Sequence, residues 1–271
     1  MRFVMFILLF LVMGLVVGEN YITMTYPETR EIHEGDIINV GVLGPGQTIP
    51  VRFSATTTRG GRFGDGGRWD QIVILSAPRG WKGFDSKLYE DPLQINVKAD
   101  PMAAEGDYSV RVMAVDDGNA DRMGNLTFTL VFTVKHDIYD FSVEPEHVSV
   151  GAYQPARFRI TIFNKGNAPD MFVISSEGLE DWVFQKTVYV PERDYRTVVY
   201  EVVGKEEEDY PITIKIRSMN SPLIHDSKNV SVSVRSDLKS DYHAVNNGLL
   251  LFPTTESPIY AFIGILSNLL R

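Results

Sequence analysis

No cysteine occurs anywhere in the 271 residues. That single absence excludes disulfides, thiolate nucleophiles and cysteine-held metals, whatever the redox state of the compartment, so the fold has to be held by packing. An excess of positive charge is missing too: 26 Lys and Arg stand against 35 Asp and Glu, for a net charge of −9. A general polyanion binder needs a basic face to neutralise phosphates, so nucleic acid is not an expected partner. The histidines His33, His136, His147, His225 and His243 show no zinc-ligand spacing, and no Gly-x-Ser-x-Gly elbow is present. These absences give no support to an enzyme, a metal site or a cofactor. What remains is ordinary for a folded chain, with 44% hydrophobic and 23% charged residues, and the length suits two domains of roughly 100 to 150 residues.

The two ends differ from the middle. Met1-Arg2 precedes an apolar run from Phe3 to Val17 and then Gly18-Glu19-Asn20, the layout of a secretory signal over residues 1–18. About 16 apolar residues make roughly 24 Å of helix, short of a hydrocarbon core of about 30 Å, so cleavage is favoured over a retained anchor. Either way the bulk of the chain is expected outside the cell. At the other end, residues 237–271 form a linker and an apolar tail broken by Pro253 and Pro258. Ile259 to Leu270 would make roughly 18 Å of helix, a length for docking rather than spanning. Tyr260, Phe262, Ile263, Leu266, Leu269 and Leu270 are the candidate docking residues, for an envelope protein or the membrane surface. The alternative is a tail that folds back over its own domain.

Between these ends the dominant period is two, as in Arg157-Phe158-Arg159-Ile160-Thr161-Ile162 and Ile212-Thr213-Ile214-Lys215-Ile216. Such alternation, rich in β-branched and aromatic residues and punctuated by turn residues, predicts half-buried antiparallel strands packed as sandwiches. The chain also repeats itself. Trp69-Asp70-Gln71-Ile72-Val73-Ile74 lies over Pro169-Asp170-Met171-Phe172-Val173-Ile174, and Asp107-Tyr108-Ser109-Val110 over Asp209-Tyr210-Pro211-Ile212. A tryptophan follows the first segment in each copy, Trp81 and Trp182, and each reads as a plate closing a core. A repeat of about 100 residues has the size of a whole sandwich, which predicts an all-β protein of two tandem immunoglobulin-like units, residues 19–135 and 138–236. The short linker near Lys135 to Tyr139 has no Gly or Ser run and predicts limited freedom between them.

In the second half, Asn164-Lys165-Gly166-Asn167-Ala168-Pro169-Asp170-Met171-Phe172, the later Trp182 and the strand Tyr210 to Ile216 resemble exported archaeal and bacterial surface modules of the NEW3 type. The resemblance covers residues 138–236 and more faintly residues 21–135. It implies an immunoglobulin-like sandwich displayed at the cell surface, S-layer-associated or otherwise exported, and names no ligand. Read from the residues alone, Asn164 to Asn167 is a hairpin turn tolerant of positive φ.

Four features carry candidate chemistry. Arg59 to Trp69 holds five glycines and three arginines. It reads as a mobile loop whose Arg59, Arg62, Phe63, Arg68 and Trp69 suit a carboxylate, a sugar or a protein partner, the alternative being an unstructured hairpin tip. Asp117, Asn119 and Asp121 alternate as in a calcium loop, but Arg122 and Phe128 stand where that loop needs its glycine and its closing carboxylate. Asn125-Leu126-Thr127 and Asn229-Val230-Ser231 are glycosylation sequons. Together they predict an exported, non-enzymatic interaction module, with a carbohydrate-binding accessory module, stacking sugars on Trp69, Phe63 or Trp81, as the rival reading.

Overall fold

The structure, a computed structural model, describes residues 20–179 and 184–235. The signal segment, Trp182 and the tail therefore lie outside the described residues. Nearly everything described is strand: β1 Ile22–Tyr26, β2 Arg30–Ile32, β3 Ile37–Leu43, β4 Thr48–Phe53, β5 Thr56–Thr57, β6 Gly67–Arg68, β7 Gln71–Ser76, β8 Lys82–Phe84, β9 Leu93–Lys98, β10 Gly106–Val115 and β11 Asn125–Val134 in the first half. The second half contains β12 Tyr139–Glu144, β13 His147–Val150, β14 Pro155–Asn164, β15 Asp170–Glu177, β16 Lys186–Val190, β17 Tyr195–Val203, β18 Asp209–Ser218 and β19 His225–Val234. The one helical element described is a single 3-10 turn at Asp117–Asn119.

The period of two translates directly into burial. In β11, Leu126, Phe128, Leu130, Phe132 and Val134 point inward while the residues between them do not, and β14 buries Ala156, Phe158, Ile160 and Ile162 in the same way. Each of the larger of these side chains contributes about 1.5–3 kcal/mol by leaving water. Two sheets of order β2-β1-β4-β9-β8 and β3-β11-β10-β7 enclose the first core. Two more, β12-β14-β17 and β13-β19-β18-β15-β16, enclose the second. The repeated segments occupy equivalent places, since β7 pairs antiparallel with β10 and β15 pairs antiparallel with β18.

Two details differ from the sequence expectation. The sheets are not purely antiparallel: β3 runs parallel to β11, and β13 parallel to β19. In each half the first strand stops at a proline, Pro27 or Pro145, which offers no N–H to continue the ladder. In the second half the chain then crosses directly to the opposite sheet, whereas in the first it pairs β2 back on β1 before crossing; β3 and β13 each enter alongside the last strand, in the same direction. The halves also use their fourth long edge differently, because β8 pairs with β9 whereas β16 pairs with β15.

Strand directions order the molecule along one axis. β4 starts at the junction between the halves and runs away from it, so the connections after Phe53 and after Val115 both lie at the far end of the first sandwich. Asn20 lies there too, hydrogen bonded to Gly61 and Met123. β19 starts beside the junction residues Asn220 to Ile224 and runs away from the first sandwich, so Arg235 leaves at the opposite end.

Candidate functional site

The loop end of the first sandwich is built around Asp116, which is 5% exposed. Its carboxylate accepts the backbone N–H groups of Ala120 (2.9 Å), Asp121 (3.2 Å) and Met123 (3.0 Å), folding the β10–β11 connection around itself. That connection in turn holds the glycine-rich one: Arg68 N donates to Asp121 Oδ2 at 2.7 Å and Arg62 N to the Asp121 carbonyl at 2.8 Å. Asn20 clamps both, donating to the Met123 carbonyl and accepting from Gly61 N. The segment expected to be a mobile loop forms a short β5–β6 hairpin, tied down at the backbone N–H groups of Gly61, Arg62, Gly66 and Arg68.

The five loop residues separate into three kinds. Phe63 is 78% exposed with the Arg62 guanidinium 5.2 Å from its ring centroid, and this pair forms the outward tip. Arg59 is committed to its own domain: it pairs with Glu31 at 2.6 Å and lies over the Tyr21 ring, and the Glu31 hydrogen bond raises its pKa further. Arg68 donates from Nη2 to the Tyr89 carbonyl at 2.9 Å, and its Nε is buried without a partner. Trp69 corrects the expectation of a surface ring: it is fully buried and its indole N–H donates to the Tyr21 carbonyl at 3.0 Å. β6 ends at Arg68, and the next side chain turns into the core. Trp81 is likewise buried, packed on Tyr108 and Phe132.

The calcium-like residues are spent on separate donors. Asp121 Oδ2 takes Arg68 N, Asn119 Oδ1 takes Gly124 N at 3.1 Å, and Asp117 Oδ2 takes the Tyr89 hydroxyl at 3.4 Å. Among the described residues no group of three or more His, Cys, Asp or Glu is placed to hold a metal ion. Both sequon asparagines are exposed, Asn125 at the start of β11 and Asn229 within β19, where its Oδ1 accepts from Thr213 Oγ1. The six docking residues of the tail, Tyr260 to Leu270, lie outside the described residues. Among the described residues no helix is long and apolar enough to cross a membrane.

Sequence reasoning missed the second functional feature, the junction. Asn164 to Asn167 is no hairpin turn, since it carries the chain from the β12-β14-β17 sheet to the other sheet and has no residue at positive φ. Asn167 docks on the first sandwich like one more strand residue, its N–H donating to the Val42 carbonyl at 2.7 Å and its Oδ1 accepting from Val42 N at 3.0 Å. Beside it Gln47, with no exposed surface, accepts from Gly44 N and donates to Asp170 Oδ2 at 2.9 Å. Asp170 also accepts from Ser218 Oγ, Asn220 Nδ2 and its neighbour Met171 N. Ala168 packs into the first core, and Ser221 Oγ donates to the Pro101 carbonyl at 2.6 Å. The backbone of the first sandwich comes very close here. A Cβ on Gly41 would sit 2.6 Å from Asn167 Cγ, and one on Gly46 would overlap the Asn220 carbonyl, both at positive φ. The legible signal was the run Gly41-Val42-Leu43-Gly44-Pro45-Gly46-Gln47, which closes β3 and leads into β4.

No protein-family model and no curated protein matches the chain. Among solved structures, the fibronectin(III)-like modules of Clostridium thermocellum CbhA are 14% identical over 79% of this chain and 94% of theirs, with a TM-score of 0.25. A chimeric titin Z1Z2 carrying a decorin peptide is 11% identical over 81% of this chain and 100% of that one, TM-score 0.34. The Yersinia pseudotuberculosis adhesin InvE is 14% identical over 73% of this chain and 56% of that one, TM-score 0.30. Similarity at this level transfers no residue role to this chain.

Proposed function

We propose that the protein is an exported, non-enzymatic cell-surface spacer and interaction module. Residues 19–135 and 138–236 are its two sandwich units, Asn125 and Asn229 its glycan acceptors, and a partner protein is met by the Arg62–Phe63 tip. The tail, through Tyr260, Phe262, Ile263, Leu266, Leu269 and Leu270, docks on an envelope protein or the membrane surface. The observation that carries this reading is axial: the exposed tip and the exit of the chain at Arg235 are at opposite ends of two sandwiches joined by the buried Gln47–Asp170 bond and the half-buried Val42–Asn167 bond. A tied junction transmits position and force, and an exposed aromatic beside arginine is the composition of an interaction hot spot. The rival carbohydrate-binding reading loses two of its three stacking platforms, since Trp69 and Trp81 are buried and Phe63 alone is left.

Deleting residues 249–271 tests the tail. The deleted protein is expected to keep its unfolding midpoint and to leave the membrane fraction, and co-sedimentation unchanged by the deletion would overturn tail docking. For the tip, the double variant Arg62→Ala, Phe63→Ala is expected to keep its fold and to lose whatever co-purifies with the wild type from native membranes. An identical set of co-purifying proteins would sink that part of the reading.

A further inference from the structure

A cleft of about 460 Å³ opens where the two sandwiches meet, beside the contact of Asn167 with Val42. Its walls come from both: Tyr26, Arg30 and Asn39 from the first sandwich, Asn167, Glu192 and Arg193 from the second. Its size lies within the range of small-ligand sites, roughly 300–1,000 Å³, and domain junctions are a common place for them.

The cleft presents the exposed side chains of Arg30, Arg193 and Asn39 beside the buried Asn167. Neither the Arg30 nor the Arg193 guanidinium has a hydrogen-bonded or ion-paired partner among the described residues. Asn167 is only 8% exposed and spends its Oδ1 on Val42, while its Nδ2 donates to no group among the described residues. Asn39 does the same, with Oδ1 accepting from Gly41 N at 2.9 Å and Nδ2 left over. The walls thus offer two guanidiniums and two amide donors. They also include Glu28, and Glu192, which is held by the Tyr26 hydroxyl at 2.9 Å.

We infer that this junction cleft binds an acidic sugar residue, its carboxylate on Arg30 and Arg193 and its hydroxyls on Asn39, Asn167, Glu28 and Glu192. Guanidinium forks match a planar carboxylate. Two guanidiniums and two carboxylates leave these walls without net charge, with donors for one planar anion and acceptors for hydroxyl groups, so a polyol bearing a single carboxylate answers both. The inference goes beyond the spacer reading: a junction that bound no sugar would remain as tightly joined as described.

The test titrates the full chain with D-glucuronate, D-glucose and acetate, read by calorimetry and by amide chemical shifts. Glucuronate is expected to saturate, with shifts centred on Asn167 and Arg193. Because each comparison removes a charged hydrogen bond, glucose, Arg30→Gln and Arg193→Gln should each weaken binding roughly 10-fold or more, and Arg62→Gln should not. The inference is overturned by the absence of saturation with glucuronate at millimolar concentration, by acetate or glucose binding as tightly, or by affinity that survives both junction substitutions.

Discussion

Gln47 Nε2 donates a 2.9 Å hydrogen bond to Asp170 Oδ2 across the junction, and the two residues are 0% and 2% exposed. A bond so placed does little by its own strength, because folding only exchanges it for bonds to water. Its removal is another matter, since a buried donor or acceptor left alone costs about 1–3 kcal/mol. Asp170→Ala strands Gln47, Ser218 and Asn220 together. It should lower the unfolding free energy by about 3 kcal/mol or more. In a double-mutant cycle with Gln47→Ala, urea denaturation should return a coupling of roughly 0.5–3 kcal/mol, and additive effects would show that the pair does not join the halves.

The glycines beside that bond allow a sharper separation of strain from contact. Gly35 and Gly46 have similar backbone angles, φ +82° and +71°, but a Cβ at Gly35 meets nothing within 4 Å whereas one at Gly46 overlaps the Asn220 carbonyl. Gly35→Ala should therefore carry only the left-handed penalty, about 1–2 kcal/mol. Gly46→Ala should add displacement of the second sandwich, seen as a longer, more variable particle by small-angle scattering and as two unfolding transitions in place of one. Equal behaviour of the two variants would mean the junction is not held at Gly46.

The strands were legible because half-burial imposes a period of two on the sequence, so Leu126 to Val134 and Phe158 to Ile162 announce both their conformation and their inward face. The internal repeat even aligned Asp70 with Asp170, two buried carboxylates at the start of equivalent strands. What the repeat concealed is that they bond differently: Asp70 accepts Asp117 N within its own loop end, while Asp170 reaches the other sandwich. Trp69 was misplaced for a related reason. It follows five glycines and three arginines within eleven residues, and local composition cannot say at which residue a polar hairpin re-enters the core. The Asn167–Val42 and Gln47–Asp170 bonds join residues more than a hundred positions apart, and the glycine run Gly41 to Gln47 marks one side of that contact without naming the other.

Tyr26 gives the junction an alkaline limit. Burial and the hydrogen bond to Glu192 push its hydroxyl up to about 12, from an unfolded value near 10. The raised value means that the folded chain keeps its proton where the unfolded chain releases it. The stabilisation is thus complete below pH of about 10 and is lost as pH rises toward 12. Thermal unfolding of the wild type should fall more steeply across that window than that of Tyr26→Phe, which has no proton to lose. Parallel pH profiles for the two proteins would remove Tyr26 from the account.

The exposed tip and the buried tryptophan beside it should part company under substitution. Phe63 is 78% exposed and Trp69 is not exposed at all, although only five residues separate them. Phe63→Ala should therefore leave stability within about 0.5 kcal/mol of wild type. Trp69→Ala empties the largest fully buried side chain of the described residues and frees the Tyr21 carbonyl, at a cost of about 3–5 kcal/mol. Urea midpoints measured on the two variants decide it. A marginal effect at Trp69 would return that ring to the surface and reopen the whole hairpin as a stacking platform.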